Sequence, residues 1–217
     1  VVRIRPGSVA DALAIARVRH ESWRAGYAGI IPAEIIERVT GRYDARQEQT
    51  VFASRPWRRT LVAEQAPPAA GAIRNRPAAD PVAAAPVAAA PVAVPADEIV
   101  GYASYGPERG LDGAPRTRRG SQHPRENRRA ELYALYVAPG WWSTGTGRAL
   151  MQQVLEETRR EGYPRIVVWV LEQNARARRF YERAGFRRQG RSHVLHELGA
   201  VTEICYERDI TPPAAES

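Results

Sequence analysis

Hydrophobic and polar positions alternate at residues 2–5, which predicts a short first strand. From Ser8 the period lengthens. Ser8 with Asp11 three residues on resembles a capping box in which Asp replaces the usual Glu, and it opens a helix. Ala16, His20, Trp23 and Tyr27 then recur at helical spacing and share one face. Gly26 and Gly29 loosen the end of that helix. Pro32 suits the first turn of a second helix, over 32–39. A further helical stretch covers 45–53, and residues 60–64 read as a strand.

Later in the chain, residues 98–105 read as a strand, and 130–137 as a largely apolar one stopped by Pro139. Leu150, Met151, Val154, Leu155 and Thr158 give the i, i+1, i+4, i+5, i+8 face of a buried helix. That helix opens at Gly145 and ends at Gly162 and Pro164. Residues 165–170 are rich in β-branched side chains and apolar after the first, as a central strand should be. Asn174 is a good N-cap for a helix ending at Gly185. Residues 186–189 and 203–208 supply two last strands. The pattern predicts an α/β fold, with a mixed sheet of about seven strands and helices on its faces.

One stretch breaks the pattern. Residues 66–97 hold 14 alanines and 7 prolines, with the repeat Pro-Val-Ala-Ala-Ala beginning at Pro81 and again at Pro86. Prolines at 81, 86 and 91 deny a helix its hydrogen bonds, so a disordered or polyproline-II insertion is expected. Residues 106–129 are a second expected loop, with arginines at 109, 116, 118, 119, 125, 128 and 129. Residues 211–217 are expected to be a flexible tail. The remainder has the length of one domain.

Composition narrows the chemistry. The chain has 217 residues, 44% hydrophobic and 26% charged, which is enough for a core. Its net charge is +8, and all 32 basic residues are arginine. The lack of lysine excludes a Schiff-base lysine and a P-loop, which needs Gly-Lys-Ser/Thr. Cys205 is the only cysteine, which excludes an internal disulfide and a multi-cysteine zinc site. No run of about 18 apolar residues predicts a membrane span. Residues 1–5 lack the apolar segment of a signal peptide, so a cytoplasmic location is expected. The arginine-rich loop has no interleaved aromatics to stack bases, so nucleic acid is not the expected partner.

Residues 137–150, Val-Ala-Pro-Gly-Trp-Trp-Ser-Thr-Gly-Thr-Gly-Arg-Ala-Leu, run from a strand end through a loop into a helix. A helix N-terminus leaves amide N–H groups unpaired and carries about half a positive charge. Gly145 and Gly147 would let a bulky anion approach that backbone, which predicts a phosphate or pyrophosphate site. A dinucleotide fingerprint does not fit. It needs a third glycine where Leu150 stands, and its first glycine directly after the strand.

At these residues the chain resembles a GNAT-superfamily N-acetyltransferase. That family's motif, Arg/Gln-x-x-Gly-x-Gly/Ala, matches at Gly145 and Gly147, with Trp142 where Arg or Gln is usual. Asn174-x-x-Ala177-x-x-x-Tyr181-x-x-x-Gly185-Phe186 resembles the family's following helix and strand. The resemblance covers residues 3–210 apart from the two long loops. It implies a mostly antiparallel sheet splayed between its fourth and fifth strands. It also implies acetyl-CoA as co-substrate, no metal, and direct attack by a primary amine.

The resemblance carries roles to particular residues. Leu135, Tyr136 and Val137 match the strand positions that meet the pantetheine, with the Val137 amide as oxyanion donor. Trp142, Ser143, Thr144, Gly145, Thr146, Gly147 and Arg148 match the pyrophosphate loop, and Asn174 and Ala177 complete the cofactor set. Glu131 lies fourteen residues before Gly145, where several members have a catalytic glutamate. A carboxylate there can take the proton of an alkylammonium. The alternative is a strand-end salt bridge to Arg128 or Arg129. Tyr181 matches the general acid that protonates the leaving thiolate, or is a core aromatic beside Phe180.

In this superfamily the first two helices wall the acceptor site. Trp23 and Tyr27 are therefore candidates to stack on substrate or hold an ammonium, with core packing as the alternative. His193 and His196 have i, i+3 spacing but no clear third metal ligand. A small amine, an amino-acid-like metabolite, an antibiotic or a protein N-terminus all fit as acceptor. A homodimer is left open. So are two other functions: a non-catalytic module of the same fold that binds CoA or a partner, and an RNA-directed acetyltransferase.

Overall fold

The structure, a computed structural model, describes residues 2–41, 45–55, 57–65, 98–110 and 128–210. The Ala/Pro-rich stretch at 66–97, most of the arginine-rich loop and the tail lie outside the described residues. Strand β1 is Val2–Pro6, followed by one turn of 3-10 helix and then α1, Ala12–Gly26. Helices α2 (Ala33–Thr40) and α3 (Ala45–Ala53) precede strands β2 (Arg59–Gln65), β3 (Ile99–Pro107) and β4 (Arg129–Val137). Then come α4 (Thr146–Arg160), β5 (Arg165–Leu171), α5 (Ala175–Arg183), β6 (Arg187–Leu195) and β7 (Val201–Asp209).

Among the described residues one seven-stranded sheet forms, in the order β1-β2-β3-β4-β5-β7-β6. Every neighbouring pair is antiparallel except β4 and β5. The α/β fold expected from the pattern is therefore present. The strand β6 is longer than expected, reaching Leu195 rather than residue 189.

Local chemistry explains the elements. The Ser8 N–H donates to Asp11 Oδ2 at 2.7 Å, and Arg5 grips both Asp11 oxygens at 2.9 Å. This fixes the entry to α1. Side-chain alternation then sorts the sheet into two faces. On one face Ile166, Val168 and Val170 of β5 pack with Leu150, Met151 and Val154 of α4 and Tyr181 of α5. On the other, Ile15 and Val18 of α1 pack on Val62, Ile99 and Tyr102. Helices thus cover both faces.

The β4–β5 pair is the exception that positions the site. The two strands pair only from Arg129–Arg165 to Leu132–Val168. Just past that point β4 carries a bulge. Tyr105 faces Leu132 and Ser104 faces Ala134, which leaves Tyr133 as an extra residue. Bulges bend the strand that holds them, and β4 continues to Val137 without a partner on the β5 side. The Tyr133 hydroxyl donates to the Pro107 carbonyl, and its ring meets Trp57 edge-on with centroids 5.6 Å apart.

Candidate functional site

The splay opens a cavity of about 860 Å³. Its walls come from residues 132–137 of β4, 168–171 of β5, the start of α4 and one side of α5. Ser22 and Gly26 of α1, with Tyr27 that caps it, close the far side. Since α1 and α5 lie on opposite faces, the cavity is a passage through the sheet.

The exposed edge of β4 is its central feature. The Ala138 N–H donates to the Val100 carbonyl at 2.8 Å. In an antiparallel ladder hydrogen-bonded pairs alternate, so Val137, opposite Gly101, turns its N–H away from β3. It points into the splay, where no β5 residue pairs with it. The Val137 carbonyl, on the same side, accepts from Ser22 Oγ at 3.0 Å and from Trp142 Nε1 at 2.6 Å. The Val137 peptide is thereby held from two sides.

Trp142 also lies under the Arg176 guanidinium, 3.7 Å from the ring centroid. In place of the Arg or Gln of the motif, this chain has an indole that orients a strand and carries a cation. Beyond it Ser143 and Gly145 both have positive φ, 63° and 93°. Gly145 is the N-cap of α4, and its left-handed backbone suits glycine. Ser143, Gly145, Gly147 and Arg148 line the cavity, so the free amides of the helix start face it. Thr144 and Thr146 bond to each other at 2.9 Å, and Thr146 is buried; they brace the loop from behind.

On α5, Asn174 caps the helix by accepting from the Ala177 N–H at 3.0 Å, and both residues line the cavity. Arg176, Arg179 and Arg183 line it as well. Their i, i+3, i+7 spacing was readable as one helix face. Tyr181 is 8% exposed and lines the cavity between Phe180 and Phe186, at centroid distances of 5.3 and 5.6 Å. Burial pushes its phenol up, so it stays protonated at neutral pH. It is both a core aromatic and a cavity residue.

On the α1 side Tyr27 reaches the cavity, with its hydroxyl 3.4 Å from that of Tyr136. Burial raises both phenols. Trp23 stands behind Tyr27, edge-on at 5.1 Å, in a cluster with Ile31, Ile36 and Leu171. Glu131 has a side chain 3% exposed, and Arg109 holds it. The Arg109 guanidinium donates to Oε1 at 2.5 and 3.1 Å and its backbone N–H to Oε2 at 2.8 Å. The expected alternative partners do otherwise: Arg129 pairs with Glu207, and Arg128 lies over the Tyr163 ring. Among the described residues no group of three His, Cys, Asp or Glu side chains could hold a metal ion. His193 instead packs edge-on against Trp169 at 4.6 Å and pairs with Glu203 at 3.4 Å.

Comparison with known proteins decides the family. The acetyltransferase (GNAT) family model matches residues 47–186, more than half of the chain. The chain belongs to the GNAT family. A mycothiol acetyltransferase of Beutenbergia cavernae is 45% identical over 56 residues, 26% of this chain and 19% of that protein. An uncharacterised N-acetyltransferase of Mycobacterium tuberculosis is 40% identical over 65 residues, 30% of this chain and 42% of that protein. The match thus spans less than half the length of either relative. The structure of a PaiA N-acetyltransferase from Thermoplasma acidophilum in complex with coenzyme A superposes with a TM-score of 0.61 at 18% identity. It covers 96% of this chain and 99% of that one. The GNAT fold explains the splay and the free β4 edge together.

Proposed function

We propose that this GNAT chain is an acetyl-CoA-dependent N-acetyltransferase that moves the acetyl group directly to a primary amine. The observation that supports it best is the Val137 N–H, turned away from β3 and, among the described residues, without a β5 ladder partner, in a passage that also holds a buried, protonated Tyr181. The amides at the start of α4 suit the pyrophosphate of CoA, with Arg148 and the α5 arginines adding positive charge. The β4 edge at Leu135 and Val137 suits the pantetheine amides, with Tyr136 on the other side of the strand toward Tyr27. The thioester carbonyl would then lie at the Val137 N–H. An amine entering beside Tyr27 attacks it. The C–N bond forms, the C–S bond breaks, the thiolate takes the Tyr181 proton, and the proton shed by the acetylated nitrogen restores the phenol.

A module that binds CoA without turnover is the second reading. Arg109 occupies both oxygens of Glu131, the carboxylate that the resemblance offers as base, and this favours it. Thermal unfolding with and without acetyl-CoA, followed by thiol release with a panel of primary amines, separates the two. A ligand at about 100 times its Kd adds ~2.7 kcal/mol to the native state. A shift with thiol release supports the transferase. A shift with none supports the binding module, and no shift removes both.

A further inference from the structure

We propose that Glu203 accepts the proton of the incoming amine, with His193 as its positioning residue, so that the acceptor end of the passage carries a base that neither sequence motif contains. The assignment rests on the acetyl-transfer reading above and adds to it the group that makes the nucleophile.

Topology brings Glu203 there. On β7, Ile204 and Tyr206 belong to the core on the α5 side, so Glu203 and Cys205 face the α1 side. Glu203 is opposite Leu171 of β5 and His193 of β6. Leu171 and Trp169 both line the cavity, and Trp169 packs against the His193 ring. His193 Nε2 is 3.4 Å from Glu203 Oε2. The Glu203 side chain is 23% exposed, so it is not sealed in the core, and it lies one strand over from the lining residue Leu171. Its charge is felt by Tyr27 and Tyr136, whose hydroxyls meet inside the cavity.

The contrast with Glu131 is chemical. Both Glu131 oxygens accept from Arg109. Among the described residues Glu203 is instead paired with an imidazole, which can yield or turn. Several charges face Glu203: His193 from β6, Glu131 from β4, Arg109 from just beyond β3, and Glu197 from the turn after β6. Tyr27 and Tyr136 add neutral phenols, and Arg191 of β6 bonds the neighbouring Cys205 thiol. Burial, the largest effect, pushes the Glu203 carboxyl up to about 7; Arg109 opposes it, while Glu131 and Glu197 add to it. A base at that level is ionised just above neutrality and still binds a proton firmly. The ammonium loses two protons overall. One goes to the Glu203 carboxylate and on to solvent, and the other ends on the CoA sulfur through Tyr181.

The test measures thiol release from acetyl-CoA by the full chain, from about pH 5 to about pH 9, with phenethylamine as probe acceptor and with water alone. Wild type should show kcat/KM rising through an inflection near the Glu203 value. Glu203→Gln should lose the inflection and about 100-fold in kcat/KM, with the acetyl-CoA thermal shift intact. Glu203→Asp should restore an inflection at a lower rate, and His193→Asn should displace it. Glu131→Gln should keep it. An inflection that survives in Glu203→Gln overturns the proposal, as does acetyl-CoA binding by wild type with no thiol released to either probe. No thermal shift with acetyl-CoA in wild type removes the underlying transferase reading, and this assignment with it.

Discussion

The indole N–H of Trp142 donates to the carbonyl of Val137 at 2.6 Å, five residues back along the chain. This bond ties the loop before α4 to the last residue of β4. It sets the direction of the peptide whose neighbour, the Val137 N–H, faces the cavity. Trp142→Phe keeps an aromatic ring near Arg176 and removes the donor together with the five-membered ring that carries it. The loss should cost about 1 kcal/mol of stability. Thiol release should fall roughly tenfold, because an oxyanion donor acts only when correctly aimed. Calorimetry and steady-state kinetics on the same sample check both numbers.

Tyr181→Phe isolates the proposed acid. Among the described residues its hydroxyl has no hydrogen-bond partner, while its ring packs on Phe180 and Phe186. Removing the oxygen should leave stability within about 1 kcal/mol of wild type. It should lower kcat by about 100-fold with KM for acetyl-CoA little changed. Equal kcat values in the two proteins would leave the thiolate without this donor.

Two carboxylates give stability opposite pH slopes. Hydrogen bonds from Arg5, then from Ser8, hold Asp11 down at about 2. The folded state then binds fewer protons than the unfolded chain, so Asp11 stabilises above its unfolded value near pH 4. That contribution, at most about 2 kcal/mol, should vanish as pH falls toward 2. Glu203 is raised to about 7. Between about pH 4.3 and 7 the folded protein keeps a proton the unfolded chain has lost, so its contribution falls as pH rises. Denaturant unfolding across that window should show a shallower decline in Glu203→Gln than in wild type. Asp11→Asn should instead lose stability mainly above pH 4.

Gly106 tests the bulge. It is opposite Glu131, and a Cβ there would stand 2.6 Å from the Trp57 carbonyl oxygen and 2.8 Å from the Tyr133 hydroxyl. Backbone cannot swing aside as a flexible side chain can. Gly106→Ala should cost about 1–3 kcal/mol and disturb the Tyr133 bend that opens the splay. Thermal unfolding should show the loss, and the acetyl-CoA shift should shrink with it.

Much of this was legible in the chain. The strands and helices around the site follow from hydrophobic period. The glycines Gly145 and Gly147 point to an anion site by their place at a helix start, while the roles expected of Asn174 and Tyr181 come from the family resemblance and not from spacing. The second half of β6 was not legible. It is the outermost strand, and Gly190, Arg191, Ser192 and His193 alternate nothing apolar with polar, as edge strands often do. Glu203 was hidden for another reason. A glutamate in an alternating strand reads as the solvated half of the pattern. Only the insertion of β7 between β5 and β6 sets that glutamate beside Leu171 and His193. Arg109 was missed as the partner of Glu131 because 22 residues separate them, and the strand neighbours Arg128 and Arg129 looked closer.

The passage through the sheet has a kinetic meaning. With one mouth toward α5 and the other toward α1, donor and acceptor need not share a doorway. Neither must depart before the other arrives, so no acyl group has to be parked on the protein between two visits. Initial-rate plots at several fixed concentrations of each substrate should intersect, as for a ternary complex, and not run parallel. A local bend at Tyr133 would thus decide the order of events at the level of turnover.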